Sequence, residues 1–151
     1  MAYANAEFYK QKFFGEILED ENIERWLSQA SDELDSITFG RLIESYPTVE
    51  IHAEKVQKAV CAIAEALYCI DIQKKAVLAQ KGEAGEYHGT ITSISSGRES
   101  ISYSQNNNTS VYALAAANFD EQVKLIHNIA YKYLAYIPDA NGINLLYAGG
   151  N

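Results

Sequence analysis

The chain has 151 residues, 48% of them hydrophobic, and a formal net charge of -8 at pH 7. That length and composition favour one folded domain with a real core and exclude a disordered chain. The acidic balance leaves no phosphate-neutralising footprint, which argues against tight binding to duplex nucleic acid, and no apolar run approaches the roughly 20 residues that span a bilayer.

The opening, MAYANAEFYK, has no basic stretch followed by an apolar core, so no signal peptide is expected and the chain reads as one made in a cytoplasm. Spacing predicts a short helix over residues 5–14, carrying Phe8, Tyr9 and Phe13, with Gly15 as its C-cap. A second helix is predicted over 21–37, with Asp20 as N-cap and Glu21 and Glu24 near the positive helix end. Ile23, Trp26, Leu27, Ala30, Leu34 and Ile37 fall on one stripe and mark its buried face. Residues 16–35 carry Glu16, Glu19, Asp20, Glu21, Glu24, Asp32, Glu33 and Asp35 against one base, Arg25. Such a run is usually a solvated helix face; a sharper meaning is a surface that must repel nucleic acid.

A connection over 38–47 leaves room for a helical turn at 41–45, and Thr48 is placed to cap the longest helix, predicted from 49 to about 80. Val56, Ala59, Val60, Ile63, Leu67 and Ile70 keep the helical period, and Ala59, Ala62, Ala64 and Ala66 permit close packing. A globular helix rarely exceeds about 25 residues, so its last turns, with Lys74 and Lys75, are expected to project beyond the core. Cys61 and Cys69 sit on this helix about 12 Å apart at 1.5 Å per residue, too far for a disulfide, and are expected to be buried thiols.

Residues 81–89 are rich in Gly and Glu and read as a loop. Then comes ISSGRESISY: Ile91 and Ile94 before a Ser96-Gly97 turn, Ile101 and Tyr103 after it. This pattern predicts a β-hairpin near 90–104, inserted in a helical domain of residues 1–137. A lone two-stranded hairpin is marginal in water, so it needs a surface to lean on. A short helix over 111–117, a break near Asn118 and a final helix over 121–137 capped by Asp120 follow, and Pro138 ends the helix. The tail, residues 138–151, carries Ile143, Leu145, Leu146 and Tyr147, which are expected to dock on the chain's own body or on another chain. The expected fold is mainly α: a small helical bundle with one long central helix, an inserted hairpin and an extended C-terminal tail.

Catalytic signatures are missing. His52, His88 and His127 are scattered, GEAGEYHG lacks the lysine of a phosphate-binding loop, and no GxSxG occurs. No cofactor, metal site or enzymatic activity is expected. The eleven tyrosines are more informative, with Tyr131, Tyr133 and Tyr136 close together on the last helix. Tyr suits surfaces that are apolar on one side and wet on the other, protein interfaces among them.

Four stretches resemble the head–tail connector (head-completion or adaptor) proteins of tailed bacteriophages. They are the opening through a D-x-x-T-x-x-R pattern at Asp35, Thr38 and Arg41; VQKAVCAIAEALY; SGRESISYS, with Gly97, Ser100, Ser102 and Tyr103; and GINLLYAGG near the end. The family's closing pattern carries a basic residue where Ala148 stands, and Asn144 interrupts it. The resemblance implies a structural virion protein, assembled in the bacterial host cytoplasm into a homo-oligomeric ring of roughly twelve-fold symmetry. Its partners are then the portal protein above and a downstream connector or tail protein below, at the portal vertex of the capsid. DNA passes through without sequence-specific binding, and no membrane is involved. Ile91, Ile94, Ile101, Tyr103, Ile143, Leu145, Leu146 and Tyr147 are the expected contact residues. An acidic binding module that mimics nucleic acid or blocks a host enzyme is the competing expectation.

Overall fold

The apolar stripe Ile23, Trp26, Leu27, Ala30, Leu34 and Ile37 is buried along its whole length, and Val56, Ala59, Val60 and Ile63 share one core with it. The computed structural model describes residues 2–84 and 110–148. The expected hairpin, with Ile91, Ile94, Ile101 and Tyr103, lies outside the described residues. Those described are mainly helical, and among them the only β-pairing is an isolated antiparallel bridge between Pro138 and Asn144. The helices are α1 (Ala6–Gln11), α2 (Ile23–Ile37), α3 (Arg41–Glu44), α4 (Glu50–Ala84), α5 (Val111–Ala117) and α6 (Phe119–Leu134). The chain divides into two compact units: Met1–Tyr68 with Ile126–Asn151, and Cys69–Leu125.

In the first unit, α1 opens on Asn5, whose side chain accepts from the Phe8 N–H at 2.8 Å. It is shorter than its spacing suggests because Phe14 turns left-handed, with φ 59°. Gly15 is needed for a close approach: a Cβ there would lie 2.1 Å from the Tyr9 ring, itself in the core. A 3-10 turn, Asp20–Asn22, leads into α2, so the expected first helical residues belong to that turn. At the far end, the Thr38 hydroxyl donates to the Leu34 carbonyl at 2.9 Å. Phe39 and Gly40 then take φ 59° and 77° and swing the chain into α3.

α4 is 35 residues, about 50 Å of helix. In its first half Val56, Ala59, Val60 and Ile63 meet the α2 stripe in one core, to which α6 adds Ile126, Ala130 and Leu134. α6 stops at Leu134, before the position its apolar spacing and Pro138 suggest, because Tyr136 is left-handed at φ 70°. The chain then folds back. The Leu145 N–H donates to the Ile137 carbonyl at 2.9 Å, and the Leu145 side chain enters the core.

The second unit contains residues 69–84 of α4, α5 and the first turns of α6. Ser110 caps α5 through the Ala113 N–H at 3.1 Å. Asn118 performs that task for α6, its Oδ1 accepting from the N–H groups of Asp120 (2.8 Å) and Glu121 (3.3 Å). The cap is therefore two residues earlier than the expected Asp120. Ile70 and Ala115 are this unit's buried apolar residues among those described. Cys61, in the first unit, is buried and Cys69, in the second, half-buried; neither is in a disulfide.

Candidate interaction surface

The corner between α2 and α3 fastens both ends of the chain. Tyr3 donates its hydroxyl to Asp35 Oδ1 and its N–H to Ser31 Oγ at 3.0 Å, while Gln57 Nε2 donates to the Tyr3 carbonyl at 3.2 Å. Burial, then the Asp35 carboxylate, pushes the Tyr3 hydroxyl well above the usual tyrosine range. Two turns on, Arg41 Nη1 donates to the carbonyls of Leu145 (3.3 Å) and Tyr147, and its guanidinium lies over the Phe39 and Tyr147 rings at 5.5 and 5.7 Å. The D-x-x-T-x-x-R pattern thus has three local tasks: Asp35 ties the N-terminal segment, Thr38 ends α2, and Arg41 clasps the tail.

The tail is a folded turn. The Asp139 carboxylate is buried and accepts from the N–H groups of Asn141 (2.8 Å) and Ile143 (2.9 Å). The Ala140 N–H donates to the Ser45 carbonyl at 2.9 Å, and Asn141 Nδ2 to Ser45 Oγ at 2.8 Å. Of the four contact residues expected here, Leu145 is 0% exposed and belongs to the protomer's own core, and Leu146 is half-buried against it. Ile143 and Tyr147 remain on the surface.

Two surface aromatics, Phe14 and Phe39, escaped sequence reasoning, and Tyr136, expected on the last helix, lies in the turn just beyond it. Phe14, Phe39 and Tyr136 all have positive φ, and Tyr136 is 85% exposed. A left-handed backbone costs a bulky residue roughly 1–2 kcal/mol, and outliers of this kind gather at functional surfaces. The only sequence trace is an aromatic residue directly before Gly at two helix ends, Phe14-Gly15 and Phe39-Gly40.

Beside the N-terminal clasp lies an open groove of about 660 Å³ lined by Tyr3, Asp35, Leu42, Ile43, Tyr46 and Gln57. The Tyr3 and Tyr46 rings stack at 5.3 Å, Leu42 is buried at its base and Ile43 is 69% exposed. In the second unit a smaller apolar groove of about 470 Å³ is lined by Lys74, Val77 and Leu78 of α4 and Ala113, Ala116 and Ala117 of α5. Around it Ile72, Val111, Leu114 and Phe119 are also exposed.

The core's ionisable groups are structural. The Tyr9 hydroxyl accepts from the N–H groups of Ile17 and Leu18, both at 2.9 Å, and donates to Glu65 Oε2 at 2.7 Å. Burial pushes Tyr9 up to about 12, and Cys61 up to about 12 as well. Burial also raises Glu65 above the ordinary carboxylate value, against the lowering effect of its bond from Tyr9. His52 is half-buried and His127 exposed. Among the described residues no cluster of His, Cys, Asp and Glu is arranged to hold a metal ion, and no helix is long and apolar enough to cross a membrane.

Fold and surface together define a helical protein that leaves large apolar and aromatic side chains uncovered in both of its units. The chain matches no protein-family model, no curated protein and no solved structure.

Proposed function

We propose that the chain is a structural head–tail connector protein of a tailed bacteriophage. In this role it forms a homo-oligomeric ring below the portal at the capsid vertex. The ring extends the DNA channel and offers a platform to the next connector or the tail, without turnover. The observation that supports this best is the second unit. Its described residues bury Ile70 and Ala115 yet leave Ile72, Val77, Leu78, Val111, Leu114 and Phe119 on the surface. Exposed apolar area on this scale is a mark of association surfaces. The four sequence stretches of connector type supply the identity of the assembly. Exposed acids on and before α2, among them Glu16, Glu19, Asp20, Glu21 and Glu24, suit a channel wall along which DNA slides without adhering.

Electron microscopy of tailed particles from a lysate, with gold-labelled antibody to this chain, tests the proposal. Label at one vertex per capsid is the expected result; label spread over the capsid, or found only off particles, overturns it. The same exposed acids favour a second reading, an acidic module that occupies a host enzyme's nucleic-acid site. Affinity capture that brings down a host enzyme and no portal protein selects that reading instead.

A further inference from the structure

The groove of the first unit and the end of α4 are unlike surfaces with complementary chemistry. The groove offers two stacked tyrosine rings, an apolar base at Leu42, an apolar rim at Ile43 and the Asp35 carboxylate. Asp35 Oδ1 receives the Tyr3 hydroxyl, and no partner is found for Oδ2 among the described residues. Asp32 is exposed nearby and adds to the negative field felt by Tyr3. A fitting occupant carries a cation on an aliphatic stem, to lie along the ring faces and reach the carboxylate, with branched apolar side chains beside it. The chain itself presents such a segment. Lys74, Val77 and Leu78 stand at i, i+3 and i+4 on α4, so they share one helix face, and all three are exposed. Lys75 alongside pairs with Asp71 of its own helix at 3.1 Å, whereas Lys74 has no ion-pair partner among the described residues.

Building on the ring reading, we propose that neighbouring copies join head-to-tail, the Lys74–Val77–Leu78 face of one copy seated in the Tyr3–Asp35–Tyr46 groove of the next. Two different patches that complement one another make a heterologous contact, and a heterologous contact closes into a ring when its rotation allows.

The test uses two full-length variants, each changed at an exposed residue so that the protomer still folds: Ile43→Asp on the groove rim and Leu78→Asp on the helix face. Circular dichroism checks that both keep the wild-type helix content. Light scattering after size exclusion reads the mass. The wild type is expected to assemble beyond a dimer, and each variant alone to run as a monomer. Mixed in equal amounts, they are expected to form a 1:1 dimer and stop, because the pair retains one intact groove facing one intact helix end. Variants that assemble like the wild type overturn this contact and leave the ring reading standing on another face. A mixture that stays monomeric overturns the head-to-tail pairing. A wild type that stays monomeric, alone and with portal protein, overturns both.

Discussion

Leu145→Ala separates a tail that belongs to the protomer from a tail held ready for a partner. The Leu145 side chain is fully buried, packed in the core that α2, α4 and α6 share. Deleting its isopropyl group costs about 2.4 kcal/mol in transfer free energy at ~0.8 kcal/mol per buried carbon. The space left behind brings the total to about 3–4 kcal/mol, because a site fixed by helices on several sides collapses only in part. For a chain of this size about 2–4 °C of Tm follows each kcal/mol, so a fall on the order of 10 °C is expected. Urea unfolding followed by far-UV circular dichroism, at a protein concentration low enough to keep the chain monomeric, gives the free energy directly. Ile143→Ala is the internal reference: its side chain is on the surface of the same turn, and a loss under about 0.5 kcal/mol is expected. Equal midpoints for wild type and Leu145→Ala would refute the packing of the tail into the core. Docking of the tail on another chain would then be the reading that remains.

Glu65→Gln removes a pH dependence. Glu65 is shifted upward from 4.5 on folding, so between that value and its folded pKa the folded state binds more protons than the unfolded one. Stability therefore falls as pH rises through that window, and in urea titrations at a series of pH values the variant is expected to lack this fall. Gly15→Ala drives a Cβ into the Tyr9 ring, and a loss of about 1–3 kcal/mol in the same unfolding assay is expected; an unchanged midpoint would mean that the ring moves aside freely. Tyr136→Asn replaces an exposed left-handed aromatic with a residue that tolerates that backbone, and a protomer equally stable or more stable by up to about 1 kcal/mol is expected. A drop in stability would show the Tyr136 ring to be packed.

Periodicity revealed the skeleton because burial enforces it. The stripes Ile23 to Ile37 on α2 and Val56 to Ile63 on α4 are buried as their spacing requires. It revealed less at the ends of elements, where single backbone choices decide. Nothing in the composition of residues 134–138 says that Tyr136 takes a left-handed turn and stops α6 at Leu134, since aromatic residues rarely do so. Asn118 and Asp120 are both competent caps, and local geometry rather than residue type chose Asn118. The tail shows a different limit. Four apolar residues among polar ones require a cover, but sequence does not say which cover. The deciding contact, Arg41 to the carbonyls of Leu145 and Tyr147, joins positions over a hundred residues apart. The groove was hidden for the same reason, its walls being Tyr3 near one end of the chain, Tyr46 at the mouth of α4 and Asp35 on α2.

The residues that carry the resemblance and the residues that carry the proposed assembly are largely different, and this matters for where mutations should be aimed. Asp35, Thr38 and Arg41 hold the protomer together: each has a bonded partner within the chain, and changing one of them loosens a terminus or a helix end. Loss of particle attachment in an Arg41 variant would thus follow from a released tail as readily as from a lost contact. Ile43, Val77 and Leu78 are in the opposite position. Their side chains stand in solvent, so the protomer gains little from them, and a charged replacement there disturbs only what another molecule covers. Asp35 has a foot in both sets: it lines the groove, and one of its carboxylate oxygens accepts from the Tyr3 hydroxyl. An Asp35→Asn change keeps an acceptor for the Tyr3 hydroxyl while removing the charge. If the groove receives Lys74 of a neighbour, this variant folds with near wild-type stability and assembles more weakly; if Asp35 serves only the N-terminal clasp, assembly is untouched.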